Sequence, residues 1–321
     1  MKILVTGATG FIGKHLVKEL VGKGHKVMCL VRKISRKKDI NYLKKLEVEL
    51  FNGELTDKNS LKGICKGIDI IYHLTGVLGS FNFSEKLMFD INVKGTENIL
   101  NESREDKVKK FIFCSSAGVL GPIVSGNELS PYNPSNFYEE TKIEAEKLVL
   151  RSKLNYIIIR PEFVYGPMDN HVLPLFKAIK NKRFFIIGDG NSLLHPTHID
   201  DLTQAFVKCL DPKIKNKVYI IAGENAIKVK VLYKLIAKKL NVKTNKILIP
   251  IPIVNILAFI FENSAKVFKF NPLITKSRIR FFTENKSFNT SKAKKEIGYN
   301  PIKLEKGIEK TIKEYKQKGY L

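Results

Sequence analysis

One tyrosine and one lysine form the pair with the clearest chemical potential in this sequence. Tyr138 and Lys142 stand four residues apart, a spacing that puts both side chains on one face of a helix, one turn apart. A nearby ammonium favours the phenolate and is expected to lower the pKa of the tyrosine. A tyrosine tuned in this way can exchange a proton with an alcohol. Because such pairs are also common in helices without a site, the interpretation depends on the rest of the chain.

A glycine-rich turn near the start of the chain supplies the second part of a site. Lys2–Thr6 is a short apolar run typical of a buried parallel strand, and the residues after Gly10 have helical spacing. Between them lie Gly7, Gly10 and Gly13, in a GxxGxxG pattern. A strand, a glycine turn and a helix form the first half of a dinucleotide-binding unit, whose backbone N–H groups receive a pyrophosphate. Together, the turn and the Tyr-Lys pair predict a hydride-transfer site.

Composition bounds the remaining possibilities. The chain has 321 residues, 44% of them hydrophobic, enough for one large α/β domain and a smaller one. Four scattered cysteines predict reduced core thiols in a cytoplasmic protein, with no metal site and no disulfides. Met1 leads directly into the first predicted strand, so no signal peptide is expected. The net charge of +25 is spread along the chain without a nucleic-acid-binding signature, so no specific nucleic-acid binding is expected.

The most apolar stretch of the chain is 247–261. Pro250, Pro252 and Asn255 interrupt it, and it is too short to span a bilayer, so no transmembrane segment is expected. It predicts a strand, a turn and a helix packed into a second domain. A lid over a pocket, or a peripheral membrane contact favoured by the positive charge, is the alternative interpretation.

Apolar strand-like runs alternate with helical segments over the first two thirds of the chain. This alternation predicts an α/β fold, a doubly wound parallel sheet of the Rossmann type with a smaller C-terminal α/β substrate domain. We predict a nucleotide-binding domain formed by residues 1–165 and 196–223, and a substrate domain formed by 166–195 and 224–321. The predicted strands are Lys26–Val31, Glu47–Phe51, Ile68–His73, Lys110–Ser115, Tyr156–Arg160 and Val218–Ala222; the predicted helices include Asp57–Ile64, Ser84–Arg104 and Asn136–Ser152.

Further motifs follow in a fixed order along nearly the whole chain. They are Gly53-Glu54-Leu55, His73-Leu74-Thr75-Gly76, Asn92-Val93-Lys94-Gly95-Thr96, Ser115-Ser116-Ala117-Gly118-Val119, the run from Arg160 to Pro167, His198-Ile199-Asp200-Asp201, and Ser291-Lys292-Ala293 with Gly298-Tyr299-Asn300-Pro301. With the glycine turn and the Tyr-Lys pair, they make the chain similar to the extended short-chain dehydrogenases/reductases, which include NAD(P)-dependent epimerases, dehydratases and reductases. The segment Asn271–Thr275 resembles hydroxysteroid-dehydrogenase-like and dihydroflavonol-reductase-like members.

The resemblance assigns roles to residues. It implies that Tyr138 exchanges the proton, that Lys142 lowers its pKa and hydrogen-bonds the nicotinamide ribose, and that Ser116 holds the substrate oxygen. For Asn92 it leaves open a proton relay or local backbone hydrogen bonding. Besides Tyr138 and Lys142, the implied cofactor-binding residues are Gly7, Thr9, Gly10, Phe11, Ile12, Gly13, Arg32, Lys33, Glu54, Leu55, Leu74, Thr75, Gly76, Asn92, Ser115, Pro161 and Val164. Val77, Phe163 and Leu194 are implied to line a pocket for a small-molecule substrate.

The end of the second strand bears on the choice of cofactor. An acidic residue there would bind the ribose 2′-hydroxyl of NAD, whereas an arginine accommodates the 2′-phosphate of NADP. The chain has Arg32 and Lys33, with Ser35 and Arg36 nearby and no carboxylate before Asp39. Because a guanidinium binds a phosphate bidentately, NADP is predicted, with NAD as the alternative.

Departures from the family pattern narrow the choice among the reactions that the family catalyses. Ala117 and Gly118 replace the acidic pair of sugar-nucleotide dehydratases, which argues against dehydration. Phe163 and Leu194 replace the Asn and Arg with which nucleotide-sugar epimerases hold a diphosphate. We therefore predict an NADP-preferring oxidoreductase that interconverts a secondary alcohol and a ketone. The alternatives are a nucleotide-sugar 4-epimerase with tightly bound NAD and a non-catalytic NAD(P)-sensing protein. By resemblance, the chain is expected to form a homodimer whose interface consists of the helices 84–104 and 136–152.

Overall fold

A central sheet and the helices on its two faces account for most of the chain. The computed structural model describes residues 1–78, 84–244, 247–268 and 275–321; the predicted motif residues Asn271–Ile274 lie outside this range. The strands are β1 Lys2–Thr6, β2 Lys26–Val31, β3 Glu49–Asn52, β4 Ile70–His73, β5 Lys110–Cys114, β6 Ile123–Gly126, β7 Tyr156–Pro161, β8 Val164–Tyr165, β9 Ile186–Ile187, β10 Leu193–Leu194, β11 Thr197–His198, β12 Lys217–Ile221, β13 Ile227–Lys228, β14 Leu248–Ile249 and β15 Lys286–Phe288. The helices are α1 Phe11–Gly22, α2 Lys37–Lys44, α3 Glu85–Phe89, α4 Gly95–Glu105, α5 Phe137–Arg151, α6 Leu173–Lys180, α7 Ile199–Lys208, α8 Val229–Lys239, α9 Ile251–Phe268, α10 Lys276–Thr283, α11 Ser291–Ile297 and α12 Leu304–Gln317.

Seven strands form the sheet in the order β3-β2-β1-β4-β5-β7-β12. All neighbours are parallel; Ile3, for example, pairs with Val27 on one side and with Ile70 on the other. The chain winds outward to β3 and then crosses to β4 on the other side of β1. Loops therefore diverge at the carboxyl ends of β1 and β4, where doubly wound sheets bind their ligands. The predicted doubly wound parallel sheet is confirmed.

Alternating side chains of the strands fill two cores, one on each face of the sheet. Ile3 and Val5 point into a core shared with α1, α7 and α11, whereas Leu4 points into one shared with α4 and α5. Both cores consist of aliphatic and aromatic side chains, so the sheet is buried on both faces. This explains why its strands are continuous apolar runs in the sequence.

A third core joins α6, α8 and α12 beyond the carboxyl edge of the sheet. Phe176, Ile236 and Ile312 are among its buried residues. The helix α11 packs on the main sheet, because Ala293 lies in the core that α11 shares with α1 and α7. Just after this helix, the Tyr299 hydroxyl donates to the Ala222 carbonyl at 2.7 Å. The domain boundaries given above stay a prediction.

Two predicted helices differ in the structure. The prediction of a helix over Asp57–Ile64 was wrong. Only a 3₁₀ turn forms, over Lys58–Leu61, and Gly63 follows with a φ of 75°. The long helix predicted over Ser84–Arg104 is divided by a π-helical turn at Asp90–Lys94. Such turns often mark functional positions, and this one contains Asn92.

Part of the apolar stretch 247–261 forms β14 and most of α9, as predicted. The strand β14 pairs with β9, and Val254 and Ala258 of α9 are buried against Ile279 of α10. Within the described residues, we find no helix that is both long and apolar enough to cross a membrane.

Candidate active site

The glycine turn forms a tight backbone cradle at the carboxyl end of β1. Gly7 has a φ of 72°, and a Cβ atom there would lie 2.9 Å from the Leu74 carbonyl carbon and the Thr75 nitrogen. A Cβ at Gly13 would lie 2.2 Å from the Gly7 oxygen, so only glycine lets α1 pack against the turn. No described side chain caps α1 at Gly10. The cradle therefore fits a pyrophosphate, which free N–H groups at a helix N-terminus bind.

A chain of buried hydrogen bonds supports this cradle from below. Thr6 Oγ1 lies 2.7 Å from His73 Nδ1, and His73 Nε2 lies 2.9 Å from Thr96 Oγ1. Thr96 Oγ1 also donates to the Asn92 carbonyl at 2.6 Å. Burial, together with the charge of Lys142, lowers the pKa of His73 to about 3, so the imidazole is neutral. The network links β1, β4 and the π turn.

Asn92 connects the end of β4 to α5. Its Oδ1 accepts the Val77 N–H at 2.8 Å, and its Nδ2 donates to the Val77 carbonyl at 3.2 Å and to Thr141 Oγ1 at 3.0 Å. Of the two roles left open above, local backbone hydrogen bonding is therefore the one present in this structure. The contact fixes the segment after Gly76 relative to the helix that carries Tyr138.

Lys142 is buried at the carboxyl ends of β4 and β5. Its ammonium donates to the Cys114 carbonyl at 2.7 Å and lies 4.3 Å from the centre of the Phe113 ring. A Cβ at Gly76 would lie 3.5 Å from Nζ, so the charge stands next to the Leu74–Gly76 segment. Burial lowers the pKa of Lys142 to about 8.

Tyr138 lies in the first turn of the same helix, which Asn136 caps through a 3.0 Å hydrogen bond from the Glu139 N–H. Burial raises the pKa of Tyr138, and the charges of Cys114 and Glu139 raise it further. The expected lowering of this pKa by Lys142 is therefore wrong for the structure described. The physical reason is that desolvation penalises the phenolate, while the ammonium is held by the Cys114 carbonyl.

Two serines follow β5 and have different environments. Ser116 Oγ accepts the Gly118 N–H at 3.1 Å and is partly exposed. Ser115 Oγ is buried and has no hydrogen-bond partner among the described residues. A buried hydroxyl without a partner is costly, which indicates that a bound group completes the site. The orphaned hydroxyl and the glycine cradle together fit a dinucleotide cofactor.

Basic side chains gather after β2. The Arg32 and Lys33 side chains are exposed, and no ion pair to either is found within the described residues. Asp39, in contrast, is held by Lys14 at 2.5 Å and by Arg36 at 2.7 Å. Burial acts to raise the pKa of Asp39, but these two hydrogen bonds bring it below its usual value. The first carboxylate after β2 is thus already paired with Lys14 and Arg36, and the Arg32 guanidinium has no ion-pair partner among the described residues.

The predicted pocket residues differ in accessibility. The Phe163 ring lies 4.8 Å from the Phe281 ring of α10, centre to centre, with its backbone at a φ of 25°. Val77 is partly exposed. Leu194 is fully buried in the third core, so its side chain packs beneath the residues of a pocket wall and is not accessible to a substrate.

The other predicted cofactor residues take several positions. Thr9, Phe11 and Ile12 lie in and just after the glycine turn, partly exposed. The Glu54 N–H donates to Ser60 Oγ at 2.9 Å, and Leu55 is buried where Gly95 begins α4. Pro161 ends β7 and Val164 pairs with Thr197. Their contact with a cofactor stays a prediction.

Sequence reasoning missed a buried charged cluster behind Ser116, consisting of Glu139, Glu162 and Lys286. Glu139 Oε2 accepts the Ser135 N–H at 2.6 Å, and its Oε1 lies 3.8 Å from Lys286 Nζ. A Cβ at Gly118 would lie 2.8 Å from Glu139 Oε1 and 3.1 Å from Ser116 Oγ, so the carboxylate lies against the serine turn. Burial raises the pKa of Glu162 to about 7, opposed by Lys286 and assisted by Glu139. No local pattern indicates this cluster, since Lys286 is far away in the sequence.

Glu162 should make stability depend on pH. Because its pKa rises from 4.5 to about 7 on folding, its contribution is complete below 4.5 and is lost as the pH rises through 7. Glu162→Gln removes the titration. Across this window, the free energy of unfolding of the wild type should fall by about 2–3 kcal/mol relative to the variant. Urea denaturation at several pH values measures the difference; parallel curves for the two proteins would refute it, and Glu54→Gln, at an exposed position, serves as the control.

Comparison with known proteins places this site in a family. The family model described as "NAD dependent epimerase/dehydratase family" matches residues 3–222. Among relatives, a decarboxylating sterol-4-alpha-carboxylate 3-dehydrogenase of Dictyostelium discoideum is 28% identical over 96% of this chain and 98% of its own. The sterol demethylase protein B of Methylococcus capsulatus is 25% identical over the full length of both.

Solved structures share the fold. The UDP-glucose 4-epimerase of Thermotoga maritima superposes with a TM-score of 0.81, at 23% identity and 99% coverage of both chains. A UDP-glucuronic acid 4-epimerase of Bacillus cereus, solved with NAD, superposes with a TM-score of 0.78 at the same identity and coverage. The structural matches extend over both parts of the molecule, and the family model covers the glycine cradle, both serines, Tyr138 and Lys142. This chain belongs to the NAD-dependent epimerase/dehydratase family.

Proposed function

We propose that this protein is an NAD(P)-dependent dehydrogenase that interconverts a secondary alcohol and a ketone. The observation that carries the proposal is what lies together at the carboxyl ends of β4 and β5. The Lys142 ammonium is there, with the Ser115 hydroxyl, which has no hydrogen-bond partner in the described part of the chain, and the Leu74–Thr75 backbone packed against the glycine cradle. A cofactor fold alone would not require a buried lysine one turn from a tyrosine. Because the family is described as NAD dependent, we expect the cofactor to be a nicotinamide dinucleotide.

The chain's own residues provide the proton chemistry in this proposal. A nicotinamide dinucleotide held by the glycine cradle would supply the acceptor for the hydride of the carbinol carbon. Tyr138 removes the hydroxyl proton, and Ser116 donates a hydrogen bond to the substrate oxygen. Because burial raises the pKa of Tyr138, the protonated phenol is favoured. In the direction of ketone reduction, Tyr138 would therefore donate its proton to the substrate oxygen.

The substrate class follows from the wall of the pocket and from the relatives. Phe163 and Phe281 present aromatic surface where epimerases are expected to hold a diphosphate. Relatives are named as sterol-4-carboxylate 3-dehydrogenases that decarboxylate. We therefore propose an apolar alcohol with a carboxylate on the carbon beside the carbinol. Its oxidation gives a β-keto acid, which loses CO₂ as the electron pair of the broken bond moves toward the ketone oxygen; the resulting enol then takes up a proton at carbon.

The test is direct assay of the purified protein. A sterol 4-carboxylate with NAD or NADP should yield reduced cofactor, measured by absorbance, together with the decarboxylated ketone and CO₂. A simple cyclic alcohol should yield the ketone alone. Isomerisation of a nucleotide sugar by protein that retains NAD through gel filtration would instead establish the 4-epimerase alternative.

We infer a preference for NADP from the end of β2. Charge-assisted hydrogen bonds contribute about 1.5–3 kcal/mol, so Arg32→Ala should raise the KM for NADP by about 10–100-fold and leave the KM for NAD nearly unchanged. Steady-state kinetics with both cofactors measure the effect. Arg151→Ala, at an exposed position in the last turn of α5, is the matched control. Equal effects of Arg32→Ala on both cofactors would contradict the inference and favour NAD.

We also propose a homodimer in the cytoplasm. A groove of about 360 Å³ lies along α5, lined by Phe89, Phe137 and Ile143 among others. It lies between the two helical segments expected to form a four-helix interface. All four cysteines are free and buried, which agrees with a reducing compartment. Light scattering gives the oligomeric state.

A further inference from the structure

Helix α9 carries apolar side chains on both of its faces. Its inner face, with Val254 and Ala258, is buried against Ile279. On the outer face Ile253, Ile256, Phe259 and Ile260 are 51%, 61%, 61% and 52% exposed. A helix that faces water normally has polar residues there. Glu262 is the one charged residue between 251 and 265, and its carboxylate accepts the Lys276 N–H at 2.9 Å.

The exposed apolar surface continues beyond the helix. Leu248 in β14 is 54% exposed, and Ile251, at the start of α9, is 40% exposed. The neighbouring strand β9 adds Phe185, directly before it, with 40% exposed. We call Leu248, Ile251, Ile253, Ile256, Phe259 and Ile260 the apolar face. An exposed surface of this kind marks a docking site or a membrane contact.

Exposed basic residues flank, along the sequence, the segments that form the apolar face. Arg183 precedes β9, Lys243 precedes β14, and Lys276 begins α10 beside the far end of α9. The chain as a whole carries +25. Apolar side chains flanked by basic residues are complementary to the surface of an anionic bilayer.

We propose that the apolar face docks this protein on an anionic lipid bilayer, with α9 lying in the plane of the headgroup and acyl boundary. The charge distinguishes this occupant from a second copy of the chain. A symmetric contact through the apolar face would bring two identical basic borders together and oppose association, whereas phosphatidylserine or another anionic lipid neutralises them.

The docking face is one helix away from the candidate active site. The helix α10 packs on α9 through Ile279, and on its other side Phe281 contacts the Phe163 ring at 4.8 Å. Arg280 Nη1 also donates to the Ser135 carbonyl, just before the helix of Tyr138, at 2.7 Å. If the proposed function holds, this placement lets an apolar substrate pass from the lipid to the pocket. The membrane contact itself does not rest on the proposed function.

Vesicle sedimentation with the full chain tests the contact. The vesicles are phosphatidylcholine alone, or phosphatidylcholine with about one third phosphatidylserine. Wild-type protein should sediment with the anionic vesicles, and binding should weaken in high salt because the basic border is screened. The double variant Ile256→Ser with Phe259→Ser should bind about tenfold more weakly. Leu129→Ser is the matched control, since Leu129 is 94% exposed and lies outside the apolar face.

Each result decides the proposal. Loss of sedimentation in the double variant but not in the control, with both variants folded by circular dichroism, supports it. Equal binding of wild type and double variant, or no binding of the wild type, overturns it. A dimer in light scattering that the double variant dissociates would assign the apolar face to a second copy instead. None of these measurements needs turnover, so they remain informative if the proposed reaction is wrong.

Discussion

Tyr138→Phe should lower kcat by about 10²–10⁴-fold, the range that a positioned proton-transfer group supplies. The substitution removes only the hydroxyl, while the Tyr138 carbonyl keeps its 2.7 Å hydrogen bond from Thr141 Oγ1. Cofactor binding should therefore persist, because the glycine cradle and Lys142 are unchanged. Steady-state turnover together with cofactor titration by fluorescence separates the loss of chemistry from the loss of binding.

Tyr156→Phe provides the matched control for this experiment. Tyr156 begins β7 and is partly buried, but it lies at the amino edge of the sheet, away from the carboxyl edge where the candidate site lies. Its substitution should leave kcat within about twofold of the wild type, as expected for a position outside the site. Unchanged turnover in Tyr138→Phe would rule out the proposed proton transfer.

Much of the fold could be predicted because a doubly wound sheet leaves a strong local signal. Buried parallel strands are continuous apolar runs, and Lys26–Val31 was predicted with the bounds that the structure has. The 3₁₀ turn at Lys58–Leu61 was not predicted, because helical spacing over a few residues does not establish a helix that Gly63 then ends. The π-helical turn that contains Asn92 was not predicted either. Its side chain contacts Val77, fifteen residues earlier, and local spacing does not reveal such a contact.

The helix that carries Tyr138 and Lys142 was predictable from the sequence, whereas the electrostatics around the two side chains were not. The spacing of Tyr138 and Lys142 is local and visible in the sequence, so placing them on one helix was correct. The direction of the tyrosine pKa depends instead on how deeply the phenol is buried and on the Cys114 and Glu139 charges. Those depend on tertiary packing, as does the cluster of Glu139, Glu162 and Lys286.

The apolar stretch around α9 shows a related limit. A helical run of isoleucine and phenylalanine predicts burial, because burying such side chains is favourable. The structure buries only one face of the helix and leaves Ile256 and Phe259 exposed. Hydrophobicity in a sequence therefore does not distinguish a core from an interface. The exposure of Ile256 and Phe259 in the folded chain makes that distinction here.

Glu146→Ala should destabilise the fold by about 3–5 kcal/mol, the cost of leaving a buried charge without its partner. Glu146 is fully buried and binds Arg160 through two hydrogen bonds of 2.9 and 2.7 Å, which tie α5 to β7. It also accepts the Tyr132 hydroxyl at 2.7 Å. The alanine variant would leave the Arg160 guanidinium, 5% exposed, without a carboxylate. Urea denaturation measures the free energy of unfolding.

A surface pair on the same helix provides the control. Glu144 and Lys147 form an ion pair of 2.7 Å in which both side chains are largely exposed, so Glu144→Ala should cost less than about 1 kcal/mol. Replacing both buried partners, by Glu146→Leu with Arg160→Met, should recover much of the loss, because no unpaired charge remains. Equal destabilisation by Glu146→Ala and Glu144→Ala would show that the buried pair does not hold α5 against the sheet. The position of Tyr138 and Lys142 would then depend on the apolar packing of α5 alone.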